Sequence, residues 1–227
     1  MGTIGKWATG VVVLLLVVSG AVVVVQHLKR DSEIKAKLEE AIGRDAGYTE
    51  TILKLESDSS HITFGEFFSL CDKSVEERTN LIVELRGLYP SVNNATKENL
   101  IDFLNAENDA VRSKRDLYRR KMQLSSAMDT FTEAVRDRPS SEYAWDYYRE
   151  HVARVRREVS DAAKELQGSA AGYAESYQKS LKLEAAVAQS ASQLGVRFKP
   201  IFKQFDVSNA TQGKEAGDFA TQVLAKL

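Results

Sequence analysis

Between Trp7 and Val25 the chain carries no charged side chain, and twelve of those nineteen residues are Val or Leu. Nineteen residues rising ~1.5 Å each make a helix of about 28 Å, which matches the ~30 Å hydrocarbon core of a bilayer. Val and Leu each favour insertion by about 0.3–0.6 kcal/mol, and their sum exceeds the cost of Thr9, Gly10, Ser19 and Gly20. Trp7 stands at one edge, where an amphipathic ring suits the headgroup layer. The expectation is a short tail over 1–6 and a single transmembrane helix over 7–26, with membrane lipid as its first partner. A cleaved signal peptide is the competing reading, with Lys6 as its basic start and Ser19-Gly20-Ala21 as its small-residue cleavage site. Against it, four valines follow Ala21 before His27, Lys29 and Arg30, as when a span meets an interface.

Lys29, Arg30, Lys35 and Lys37 follow this segment, and only Lys6 precedes it. The positive-inside rule then favours a cytoplasmic position for the rest of a single-pass cell-membrane protein. Asp31 and Glu33 lie among those positives, which keeps the periplasmic or extracytoplasmic side open as the alternative.

Beyond residue 28 the chain reads as all-α. Proline occurs only at 90, 139 and 200, and strong helix formers dominate. Over 27–58 a juxtamembrane stalk places Ile34, Leu38, Ala41, Asp45, Tyr48, Ile52 and Leu55 at alternating steps of 4 and 3, a heptad seam. Asp45 interrupts it between Gly43 and Gly47. It either fixes register or faces solvent at a bend. Residues 59–90 read as short helices, with capping-box spacing at Thr63–Glu66 and at Ser74–Glu77. Their aromatic residues Phe64, Phe67 and Phe68 suit a core, and Cys71, the only cysteine, suits a buried apolar position.

A long antiparallel hairpin is expected over 91–195. Its first helix runs from about Asn94 to Arg136 and stops before Pro139; Ser140 and Ser141 are placed to cap the second. So short a connection forces the two helices to turn back on each other. The second helix carries Trp145, Tyr148, Val152, Val155, Val159, Ala162 and Leu166 at steps of 3 and 4, continued by Ala170, Tyr173, Tyr177 and Leu181. Leu117, Leu124, Met128, Phe131 and Val135 form the facing stripe. Glu107 and Lys114 fall near that seam and are expected to loosen it. Gly168-Ser169-Ala170-Ala171-Gly172 is a GxxxG stretch that would permit close helix approach or a flexible point.

The remainder, 196–227, holds a basic and aromatic segment and a short last helix with Phe219, Val223 and Leu227 on one side. In the former, Arg197, Phe198, Lys199, Phe202 and Lys203 are candidates for membrane-surface contact, and packing of the phenylalanines on the bundle is the alternative.

No nucleophile elbow, dinucleotide fingerprint or complete phosphate loop occurs. His27, His61 and His151 stand far apart, without metal-ligand spacing. The expectation is therefore a protein with no catalytic residues, no metal and no cofactor, and not an enzyme. A formal charge of −1 argues against nucleic acid as a partner.

An anchor, a stalk and a hairpin without chemistry suggest a membrane-anchored helical scaffold or interaction protein. Such an accessory subunit would assemble as a homo-oligomer or with other membrane proteins. Ile34, Leu38, Ile52, Leu55, Trp145, Tyr148, Val152, Val155, Val159 and Leu166 are its candidate interaction seam. The alternative is a sensory or ligand-binding bundle in which Tyr143, Trp145, Tyr147 and Tyr148, with Arg149 and His151, line a pocket.

Overall fold

The computed structural model describes the backbone of residues 4–57, 63–88, 94–205 and 207–226, and within these the side chains of all but 4–25, 27, 56, 57, 94, 203 and 226. Five long helices follow in order: α1 (Ile4–Ser57), α2 (Phe64–Arg86), α3 (Asn94–Arg136), α4 (Trp145–Gln193) and α5 (Ser208–Lys226). Short 3-10 turns stand at Glu142–Ala144 and Phe202–Gln204. Among the described residues there is no strand, so the all-α class holds.

α1 is one unbroken helix of 54 residues, about 80 Å long. It is helical through Gly43 and Gly47, so the glycines do not interrupt it. Among the described residues no helix is long and apolar enough to cross a membrane. The apolar side chains of Trp7–Val25, on which the spanning helix was read, lie outside the described residues.

α2 returns along the second half of α1. Its start is fixed by a full capping box: the Glu66 N–H donates to the Thr63 side chain, and the Thr63 N–H to the Glu66 carboxylate at 2.9 Å. The Thr63 N–H, and after it the Thr63 hydroxyl, which also donates to Glu66 Oε2 at 2.9 Å, hold the Glu66 pKa below the usual carboxylate range. The second capping signal does not mark a second helix. Ser74 lies inside α2, buried, with its hydroxyl donating to the Cys71 carbonyl at 3.0 Å. One helix of 23 residues therefore replaces the expected pair. Cys71 is buried, as its apolar neighbours implied.

α3 and α4 form the expected antiparallel hairpin. Ser141 makes no side-chain cap, and a 3-10 turn leads into α4 instead. The buried stripe of α4 takes in Val155, Val159, Ala163 and Leu166, then Ala170, Tyr173 and Tyr177. Ala163 takes the place read for Ala162. Beyond Tyr177 the stripe runs through Ser180 and Glu184, with Leu181 only half-buried at its edge. A Schellman motif ends α4: the Val196 N–H reaches the Ala191 carbonyl at 2.9 Å, and Gly195 reverses the chain at φ 64. α5 then lies back along the hairpin.

The core has two parts. One gathers α1, α2, the first half of α3, the end of α4 and the segment after it. The other gathers the second half of α3, the first half of α4, and α5. α5 buries Ala210, Gly213, Gly217, Ala220 and Leu224, not the side read from the sequence: Phe219 is 63% exposed. Leu227 lies outside the described residues.

Candidate functional site

The residue that organises the α1 end is Arg78 of α2, fully buried. Its position follows from helical spacing, because Cys71, Ser74, Arg78, Leu81, Ile82 and Leu85 share one face of α2. A guanidinium on that face must meet carboxylates or be expelled. Arg78 Nε donates to Asp45 Oδ1 of α1 at 2.6 Å and lies 3.3 Å from Glu107 Oε2 of α3. Nη2 donates to Thr49 Oγ1 at 2.8 Å and Nη1 to Ser74 Oγ at 3.4 Å. Thr49 in turn donates to Glu107 Oε1 at 3.5 Å. Three helices are thus joined through one planar fork.

Burial works against the Arg78 charge, but Glu107 and Asp45 more than offset it and raise its pKa. Glu107 moves the other way for a carboxylate's charge. Burial first, then the nearby Asp45, push its pKa well above the ordinary value. Two acids beside one cation cannot both ionise cheaply, so Glu107 holds its proton to higher pH.

A cavity of about 220 Å³ adjoins this cluster. It lies where α1 stands off from α3 and α4, and the chain after α4 forms its remaining wall. Asp45, Thr49, Glu107 and Glu184 supply its polar lining, and Phe103, Phe198 and Phe202 its aromatic lining. Glu184, itself buried, accepts the Phe202 N–H at 2.8 Å and so holds that wall in place. The Phe103 ring meets Phe198 and Phe202 edge-on, with centroids 5.9 and 6.4 Å away.

The structure places the residues singled out from sequence as follows. Ile34, Leu38 and Ile52 are buried and Leu55 half-buried, but the first three belong to the chain's own core, so the stalk seam is consumed by folding. Asp45 is buried at the Arg78 fork and does not face solvent. Val155, Val159 and Leu166 are buried, and Trp145, Tyr148 and Val152 half-buried, within the hairpin. Neither seam offers a free apolar stripe to a partner.

Phe202 is buried and Phe198 half-buried against the core, while Arg197 and Lys199 stay exposed. The phenylalanines therefore pack inward, and only the two cations keep a surface position. The Lys203 side chain lies outside the described residues. Glu107 and Lys114 do not loosen the hairpin; both are buried. Lys114 Nζ sits over the Phe205 ring at 4.6 Å and near Tyr173 at 5.5 Å, where ring faces replace water around the ammonium.

The rings of the 143–151 cluster do not converge on one space. Tyr143 is fully exposed and Tyr147 is 76% exposed, and the shallow hollow beside Tyr147, His151 and Arg154 is lined by α4 alone. Trp145 and Tyr148 meet edge-on at 5.4 Å, and Tyr148 donates to the Val135 carbonyl at 3.1 Å, closing the tip of the hairpin.

Sequence reading missed Arg78. A lone cation on an apolar helical face was the signal available for it. Neither a protein-family model, nor a curated protein, nor a solved structure matches the chain.

Proposed function

We propose that the chain is a membrane-anchored helical scaffold, an accessory subunit that holds a partner-binding tip at a set distance from the bilayer. The observation that carries this reading is the continuity of α1. One helix runs from the uncharged Trp7–Val25 stretch into the bundle, and Arg78 locks it there. A flexible tether would let the bundle tumble, whereas a continuous helix transmits orientation.

From Val25 to the level of Asp45, α1 rises about 30 Å, and from Glu107 beside it α3 climbs about 45 Å to the tip. Tyr143 and Tyr147 stand there exposed, and rigid aromatic residues of this kind are favoured at protein interfaces. The internal seams are spent on folding, so assembly with itself or with other membrane proteins runs through this tip.

A fractionation and a cross-linking experiment test the reading. The full chain should stay with membranes after alkaline carbonate extraction, and a variant lacking residues 1–26 should be released. In nanodiscs, cross-linking between copies or to neighbouring membrane proteins should fall when Tyr143 and Tyr147 are both changed to Ser. Release of the full chain by carbonate would remove the anchor from the account. Cross-linking unchanged by the tip substitutions would remove the tip.

A further inference from the structure

The contact between α1 and α3 is built on charges that do not balance. Arg78 stands between two buried carboxyls, with Asp45 Oδ1 at 2.6 Å and Glu107 Oε2 at 3.3 Å from the same Nε. With both acids ionised, two negative charges would share one positive charge where little water is at hand to screen them. The surroundings add more acid than base on that side. Buried Glu184 of α4 and exposed Glu39 and Glu50 of α1 line the adjoining cavity, while Arg197 and Lys199 stay at its exposed rim. On α3 itself Lys114 lies two turns away, over the Phe205 ring, and on α2 the Cys71 thiol stands near Arg78. The Asp45 and Glu107 carboxyls are hydrogen-bonded to each other, an arrangement that needs one proton between them.

The position of Asp45 shows what that proton holds. Along α1 it lies between two parts of the helix that are buried in the core, Ile34, Leu38, Ala41 and Ile42 on one side and Ile52 on the other. Between them, α1 stands off from α3 and α4 across the cavity of about 220 Å³. There α1 reaches α3 through polar side chains, by way of the Arg78 fork and the bond from Thr49 to Glu107. Without the shared proton, Asp45 on α1 and Glu107 on α3 repel each other across that contact. The cavity beside them gives water a way in.

We propose that the proton shared by Asp45 and Glu107 is a latch on α1. While it is held, residues 34–52 stay docked; when it passes to water, they open more readily from α2 and α3. Burial and Asp45 raise the Glu107 pKa in the docked state. Docking is therefore firmest below about 4.5, the ordinary value, and weakens as pH rises through the docked-state pKa. An alkaline shift would loosen the orientation of the bundle on its anchor, a consequence that rests on the scaffold function proposed above.

The test is hydrogen exchange of the full-length protein in mild detergent, with each rate divided by the intrinsic rate at that pH. From about pH 5 to about pH 9, protection in residues 34–52 should fall at least about threefold while α5 keeps its own. Glu107→Gln keeps the side-chain shape and removes one acid, so its profile should be flat. Asp45→Asn leaves a single acid opposite Arg78 and should be flat as well. A flat profile in the unaltered chain, an equal fall in α5, or a slope that survives either substitution would overturn the latch. Exchange reads the docking of residues 34–52 whether or not α1 spans a membrane, so this profile and the carbonate extraction fail independently.

Discussion

At the α1 end of the bundle, four helices meet around Arg78, Asp45 and Glu107. At the tip end, α3, α4 and α5 meet around Val155, Val159, Leu166 and two glycines of α5. The first contact is held by charge across a gap wide enough to leave a cavity. The second is held by close approach of backbones. A Cβ added at Gly217 would lie 2.8 Å from Gln167 Cγ and 3.0 Å from the Ala163 carbonyl, so α5 docks only because that position is bare. A buried ion pair fixes one partner and one register, and it exacts desolvation for doing so. Small residues give tight contact with no directional demand. The α1 end is therefore specific and sensitive to pH, and the tip end is tight.

The largest break in this contrast should come from Arg78→Met. It leaves Asp45 and Glu107 buried beside an apolar chain, which costs about 3–5 kcal/mol. Hydrogen exchange should then rise in residues 34–52 and in α2, with α5 unchanged. Gly217→Ala attacks the other end and should cost about 1–3 kcal/mol through overpacking. Exchange should rise in α5, with residues 34–52 protected as before.

The same substitution at Gly172 should have the opposite sign. Nothing lies within 4 Å of a Cβ built there or at Gly168, so Ala gains about 1 kcal/mol of helix propensity, read as a higher Tm.

The smallest effect is on pH dependence. A raised pKa of Glu107 in the folded protein gives stabilisation that is complete below about 4.5, the ordinary value, and lost as pH rises through the folded pKa. Glu107→Gln should flatten that loss in thermal melts across the same window. Leu166→Ala at the tip end should leave the pH slope unaltered.

The hairpin was legible in the sequence for local reasons. Pro139 stops α3, and the steps of 3 and 4 along α4 mark its buried face. The helix ends fell within a residue or two of Arg136 and Gln193 for the same reasons. The Arg78 cluster was not legible, because its members stand 33 and 29 residues apart and only the packing of α2 between α1 and α3 joins them. Asp45 and Glu107 each registered as a flaw in an apolar stripe, when the two flaws were halves of one contact.

The glycines carry a similar lesson. Gly168 and Gly172 drew attention as a GxxxG pair and meet nothing, while Gly213 and Gly217, with the same spacing, make the close helix contact. Spacing alone does not say which face of a helix is covered.

If Arg78 locks α1 into the bundle, the two move as one rigid body. Pulsed electron spin resonance between labels at Glu33→Cys and Arg136→Cys, with the protein in nanodiscs, tests it most directly. Both positions are exposed, and the native Cys71 is buried away from the reagent. A locked α1 gives a single narrow distance of ~60 Å, from the helix rise along α1 and α3, and a broadened one in Arg78→Met. A broad or short distribution in the unaltered chain would mean that α1 hinges, and would contradict it.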